Sequence, residues 1–202
     1  MLKLLTKICF LCALSAPAFG LDKFYVANEG DGTVSVVSTV TATVVKTIDT
    51  MEMTGGTHTA YMPHNVQVSP DQKTVWVTAP VMTAAHSAGG DHDTNSSAHA
   101  DPASTSPTHG HSSMAMTPEE QVIVIDTASD SIVKRIKLGS HLHLAHVVLD
   151  EMGSFAYVTA NEANKMFKID TKTYKIVDTI ALPVKGPHGF RICNNTAFLA
   201  SM

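Results

Sequence analysis

The chain has 202 residues, of which 44% are hydrophobic, 16% charged and only 6% aromatic. That content supports one globular domain with a core and excludes a collagen-like, coiled-coil or wholly disordered chain. The formal charge of −4 argues against nonspecific nucleic-acid binding, which needs a basic surface.

Residues 1–20 have the pattern of an export signal. Lys3 and Lys7 form a positive n-region and Ile8 to Leu14 an apolar h-region. Ala16-Pro-Ala18 or Ala18-Phe-Gly20 supplies the small residues a signal peptidase needs. The mature chain is expected to start near Phe19 or Leu21, in the periplasm or outside the cell. Losing Lys3 and Lys7 makes it more acidic. Cys9-Phe-Leu-Cys12 has redox-motif spacing but lies inside the apolar stretch instead of at a strand-to-helix turn, so it is read as coincidence. Only Cys193 then remains, which rules out an internal disulfide in the mature chain, and it is read as a small packing residue. No other apolar run approaches the roughly 18 residues of a membrane span.

From residue 21 onward a short strand recurs. Phe24-Tyr-Val-Ala-Asn28 aligns with Val75-Trp-Val-Thr-Ala79, with Ala156-Tyr-Val-Thr-Ala-Asn161 and with Ala197-Phe-Leu-Ala-Ser201. The first three copies are followed by alternating segments at Thr33–Val37, Val122–Asp126 and Lys165–Asp170. After a turn come Thr43–Ile48, Ile132–Ile136 and Lys175–Ile180, rich in β-branched residues at a period near two. Gly30-Asp-Gly32 reads as a turn, since no helix follows it to make a phosphate loop. The Asp126-Thr127 and Asp170-Thr171 pairs read as turn caps. No stretch carries a helical period.

Residues 21–80 hold the first unit and half of the second, and residues 121–202 hold the rest. Between them, residues 81–120 differ sharply in composition. They contain His86, His92, His99, His109 and His111 with Asp91, Asp93, Asp101, Met114 and Met116, and no Lys, Arg or aromatic residue. Such a segment buries no core and is expected to be disordered without a ligand. Imidazole suits copper, zinc and nickel, and thioether suits Cu(I), so the segment is a candidate metal binder; the plainer reading is a solvated spacer.

His146 and His188 are 42 positions apart and His64 and His146 are 82 apart, so the second unit exceeds a period of about 40 residues by the length of this insertion. Short strands repeating at about 40 residues, four to a unit, predict an all-β fold, a β-propeller of four-stranded antiparallel blades. The strand pattern gives three strands, then four, four and two, about three and a quarter blades. A seven-blade ring would need nearly 300 residues, on the order of seven such periods. The expectation is therefore an incomplete ring, the N-terminal part of a longer propeller, or a ring completed by self-association through open strand edges.

Strand direction alternates within a blade. The start of each innermost strand and the loop joining second and third strands therefore share one end of the blade. His64, His146 and His188 all fall at such starts, and the insertion falls at such a loop, so the three histidines should ring the channel mouth beneath it. A metal site there competes with a structural reading in which each ring only holds its own turn. His141 and His143 would share a face if that segment is extended, close to His146. Met51, Met53 and Met62, near His58 and His64, offer soft thioether ligands, although methionine in a short loop is more often packing. Thioether beside imidazole favours copper over zinc.

Tyr25-Val-Ala-Asn28, Tyr157-Val-Thr-Ala-Asn161, Ile125-Asp-Thr127, Ile169-Asp-Thr171, Val68-Ser-Pro-Asp71 and Pro187-His-Gly189 together resemble the YVTN-type (YncE-like) propeller repeat over residues 22–80 and 120–202. The resemblance implies a propeller fold in an exported protein. Members of that superfamily include binding modules without known catalysis, and structurally similar rings serve as copper- or quinone-linked oxidoreductases.

No nucleophile elbow, His-Glu-x-x-His motif or acid–base pair is present. The function expected is an exported, non-catalytic binding or scaffold protein, with copper or zinc as its metal and a protein or small molecule as its partner. The competing reading is a fragment of a copper-dependent propeller oxidoreductase with channel-mouth histidine ligands.

Overall fold

The computed structural model describes residues 22–54, 56–82 and 117–202. The export-signal pattern and His86, His92, His99, His109 and His111 lie outside the described residues. Among the described residues every regular element is a strand, and no helix is long and apolar enough to cross a membrane.

Strands β1 (Lys23–Asn28), β2 (Thr33–Ser38) and β3 (Thr43–Asp49) form a three-stranded antiparallel sheet. A hairpin follows, β4 (Glu52–Thr54) with β5 (Thr57–Thr59). A four-stranded sheet is made of β6 (Val66–Val68), β7 (Thr74–Ala79), β8 (Glu120–Asp126) and β9 (Ser131–Gly139). The next contains β10 (Leu144–Leu149), β11 (Phe155–Ala160), β12 (Lys165–Asp170) and β13 (Ile176–Ala181). A final pair is β14 (Pro187–Cys193) with β15 (Thr196–Ser201). Within each sheet the strands pair in chain order, the meander the repeats predict. The β4–β5 hairpin is an addition the repeat pattern does not show.

Alternation explains how the sheets stack. Residues on opposite sides of a strand point to opposite faces. On the second sheet Val75, Val77, Ile123 and Ile125 pack with Tyr25, Val34 and Val36 of the first. Their neighbours Trp76, Val122 and Val124 pack with Leu144, Val147, Val158 and Ile169 of the third. Covered on both faces, β8 is buried from Glu120 to Ile125, which is why it reads as an unbroken apolar run in its centre. Each such Val or Ile contributes about 1.5–3 kcal/mol on burial. A smaller cluster of Val148, Met166 and Phe190 joins the third sheet to the last pair. The sheets therefore stack face to face in chain order, a propeller-like all-β arrangement.

Turns follow their chemistry. The Asp126 carboxylate accepts from the Ser129 N–H and hydroxyl, and Asp170 from Thr173 in the same two ways; these bonds hold both carboxyls below their ordinary values. Gly32 has φ +65°, and a Cβ there would come within 2.9 Å of the Tyr61 carbonyl oxygen, so this turn requires glycine.

Two edges of the insertion belong to the fold. Val81 bridges to Tyr61, and Glu120, buried, opens β8. In the sequence both fall in the spacer, because one apolar residue and one carboxylate carry no period that sets them apart from the polar segment between them.

Candidate metal centre

Three imidazoles from three successive sheets meet at the innermost strands. One ring nitrogen from each of His64, His146 and His188 lies within 4.8 Å of the others. Ring centroids are 5.9 Å apart for His64 and His146, 5.5 Å for His64 and His188, and 4.9 Å for His146 and His188. Among the described residues no other cluster of three His, Cys, Asp or Glu side chains meets the same spacing.

The backbone brings them there by two routes. His64 precedes β6, held by its N–H to the Thr78 carbonyl at 2.9 Å. His146 and His188 instead lie inside β10 and β14, each at a register shift, between Leu144 and Val147 and between Pro187 and Phe190. Ladder pairing sets Val66, Val147 and Phe190 at one register position, opposite Val77, Val158 and Leu199. His64 and His188 therefore precede that position by two residues and His146 by one. The three do not occupy one repeat position, as the spacing alone predicts; the bulges re-aim the rings to a common point.

Threonines of the repeat strand lock this arrangement. The Thr159 hydroxyl accepts the His146 N–H at 3.0 Å and donates to the His188 carbonyl at 2.8 Å. Thr78, its counterpart in the preceding sheet, accepts from the Asn65 N–H and donates to the Ala145 carbonyl. The Asn65 side-chain oxygen accepts the Val147 N–H at 3.0 Å. Side chains of the second and third sheets are thus bonded to the inner strand of the sheet that follows each.

Electrostatics keep the rings available. Burial pushes His146 down to about 4, and the nearby His188, His64 and Arg191 act in the same direction. Burial, then His64 and His143, lowers His188. Both are neutral near pH 7, the state a metal ligand requires. The Glu29 carboxylate, in the β1–β2 turn, hydrogen-bonds Nδ1 of His64. A carboxylate only accepts, so Nδ1 carries a proton toward Glu29 and Nε2 is the nitrogen left to face a metal. A carboxylate behind a histidine in this way is the usual partner of a metal-binding imidazole.

Chemically, three convergent imidazoles suit a transition metal with an open coordination position. Nitrogen ligands at about 2.0–2.1 Å from such an ion stand roughly 3.4 Å apart in a tetrahedral site, so the rings would close inward on binding. A groove of ≈ 560 Å³ runs from His146 past Gln67, Val148, Phe190, Arg191 and Phe198.

His141 and His143 do not share an extended face. Their φ values are +56° and +48°, a left-handed conformation imposed by Glu120. Its buried carboxylate accepts the N–H groups of Leu142, His143 and Leu144 at 2.8, 3.0 and 2.8 Å. Both histidines line a second cavity, of ≈ 340 Å³, which Val81 and Glu120, at the two ends of the insertion, also line. Sequence reasoning passed over Glu29, Thr78, Thr159 and Glu120. One signal was present: Asn-Glu closes the repeat strand at both Asn28-Glu29 and Asn161-Glu162.

No family model matches the chain, and no curated protein matches it by sequence. Solved structures do. A functionally unknown protein from Desulfotomaculum acetoxidans superposes with TM-score 0.59 at 10% identity, over 91% of this chain and 47% of that one. Hydrazine synthase from Kuenenia stuttgartiensis gives 0.54 at 11% identity, over 84% and 51%. The dihydro-heme d1 dehydrogenase NirN gives 0.51 at 13% identity, over 86% and 28%. At these identities the likeness is one of fold, propeller-like and all-β. The chain spans about half the length of the first two and less of the third.

Proposed function

We propose that this chain is an exported, non-catalytic binding protein of the YVTN-type propeller class that holds a copper or zinc ion on His64, His146 and His188. The observation carrying this reading is the convergence of three imidazole nitrogens within 4.8 Å, one of them oriented from behind by Glu29. Export is supported by the N-terminal pattern of Lys3, Lys7 and the apolar run to Leu14. The propeller class is supported by the stacked meanders, the YVTN-like motifs and the fold neighbours. His141 and His143, together with the histidines of the insertion, supply further imidazoles to the same protein, and the insertion leaves and rejoins the fold beside those two.

Calorimetric titration with Cu(II) and Zn(II) tests this. Three proteins are compared: the mature chain, a variant lacking residues 83–116, and the triple variant His64→Ala, His146→Ala, His188→Ala. The deletion variant is expected to keep one specific equivalent and the triple variant to lose it. Unchanged stoichiometry and affinity in the triple variant would remove the three-histidine site.

A further inference from the structure

The β4–β5 hairpin is too short to contribute a core, yet it is held in one orientation. Arg135 donates from its guanidinium to the Thr50 and Met51 carbonyls at 3.0 and 3.1 Å. On one side of the hairpin Glu52 accepts from the Tyr61 hydroxyl at 3.1 Å and pairs with Lys137 at 3.7 Å. Side chains alternate along a strand, so Met53 falls on the other side from Glu52, and Met51, which directly precedes β4, reaches that side through its contact with His58. Met53 is paired directly with His58 across the ladder, which puts both side chains on one face. Nδ1 of His58 lies 3.3 Å from Sδ of Met51.

These methionines are not packing residues. Met51 is 46% and Met53 66% exposed, and His58 is exposed, whereas Met62 is buried at 7%. Two large apolar side chains held in solvent around one imidazole lose burial energy that Met62 gains. Two thioethers and an imidazole make a soft donor set, which selects Cu(I) over zinc or hard cations.

We propose that Met51, Met53 and His58 form a second metal site, specific for Cu(I), on the outer face of the β4–β5 hairpin. The ion is taken up as Cu(I), with Sδ, Sδ and one ring nitrogen as ligands, and no electron transfer is involved. The site shares no ligand with the three-histidine cluster.

The test uses the mature chain with its methionine methyl groups labelled for NMR, titrated with Ag(I) as an air-stable stand-in and with Cu(I) under anaerobic conditions. The methyl resonances of Met51 and Met53 should shift together in the first equivalents, and the variant Met51→Leu, Met53→Leu should lose one equivalent of Cu(I) uptake measured against a chromogenic chelator. The same titration in the His64→Ala, His146→Ala, His188→Ala background should leave those shifts intact, so failure of the histidine centre does not imitate failure of this one. Unmoved Met51 and Met53 methyls at saturating Ag(I), or unchanged Cu(I) stoichiometry in the double leucine variant, would overturn the proposal. All three side chains are exposed, so the leucine variant is expected to fold.

Discussion

The His146 ring lies against Gly189, with Cε1 3.5 Å from where a Cβ on that glycine would stand, which leaves contact distance for a methyl group and no more. The two residues occupy the same register position on neighbouring inner strands, each immediately before the aligned Val147 and Phe190. The bulge that carries His146 toward the cluster therefore needs a small residue opposite.

Gly189→Ala makes only an ordinary contact and should leave metal affinity nearly unchanged. Gly189→Val adds two methyl groups against the ring and should weaken Zn(II) or Cu(II) binding at the histidine centre while leaving the far-ultraviolet circular dichroism unaltered. Equal affinity in the two variants would show that His146 does not depend on that space.

Glu29 sets the tautomer and orientation of His64, and losing such a carboxylate partner typically costs 10–100-fold in metal affinity. Glu29→Ala should show a loss of about that size. Its side chain is 46% exposed, so the unfolding midpoint should barely move. Glu29→Gln, whose amide oxygen still accepts from Nδ1, should fall between the wild type and the alanine variant.

The lowered pKa of His146 fixes the sign of a pH effect. The unfolded chain takes up a proton near the ordinary histidine value of 6.5, whereas the folded chain resists until about 4. Stability of the metal-free protein should therefore hold above pH 6.5 and fall as the pH drops toward 4. His188 adds to the same trend. In His146→Asn this part of the pH dependence should flatten, measured by denaturant midpoints across the window. The His146 Cε1–H resonance should titrate well below 6.5; a midpoint at the ordinary value would refute the burial argument.

Thr159 and Thr78 make a matched pair for dissecting the inner strands. Thr159→Val strands the His146 N–H and the His188 carbonyl, and Thr78→Val does the same to Asn65 and Ala145. Each should cost about 1–3 kcal/mol in chemical denaturation. Only Thr159 joins two backbone units that carry rings of the cluster, so only Thr159→Val should also weaken metal binding. Parallel metal titrations of both variants decide this.

Period-two alternation at Thr33–Ser38, Thr74–Ala79 and Lys165–Asp170 made the sheets readable in advance, because one-sided or two-sided burial prints directly onto strand sequence. The histidine spacing exposed the cluster because inner strands recur with the blade. The hairpin escaped notice, since three-residue strands such as Glu52–Thr54 carry no period to detect. The bulges at His146 and His188, the Glu29 contact and the left-handed turn at His141 and His143 depend on pairings between separate sheets or across an insertion. Positive φ is uncommon outside glycine, and two such residues in one turn are held by a carboxylate that is distant in sequence.

That carboxylate, Glu120, gives the last prediction. It is 6% exposed and accepts three consecutive N–H groups, those of Leu142, His143 and Leu144, on the far side of β9 in sequence. A concave run of amide donors binds an anion well and a neutral amide poorly, and hydrogen bonds to a charged acceptor are worth about 1.5–3 kcal/mol each. Glu120→Gln keeps the shape but brings an NH2 group against one of the donors, so it should lower stability by about 2–4 kcal/mol. Glu120→Ala, which leaves all three donors without the acceptor, should cost more. The turn at 141–143 would then relax from its left-handed form, and amide hydrogen exchange at Leu142, His143 and Leu144 should accelerate before exchange in β11 or β12 does. Uniform acceleration across the sheet would instead mean that Glu120 acts on global stability alone. If the turn stayed protected in both variants, the carboxylate would not be what holds His141 and His143 in place.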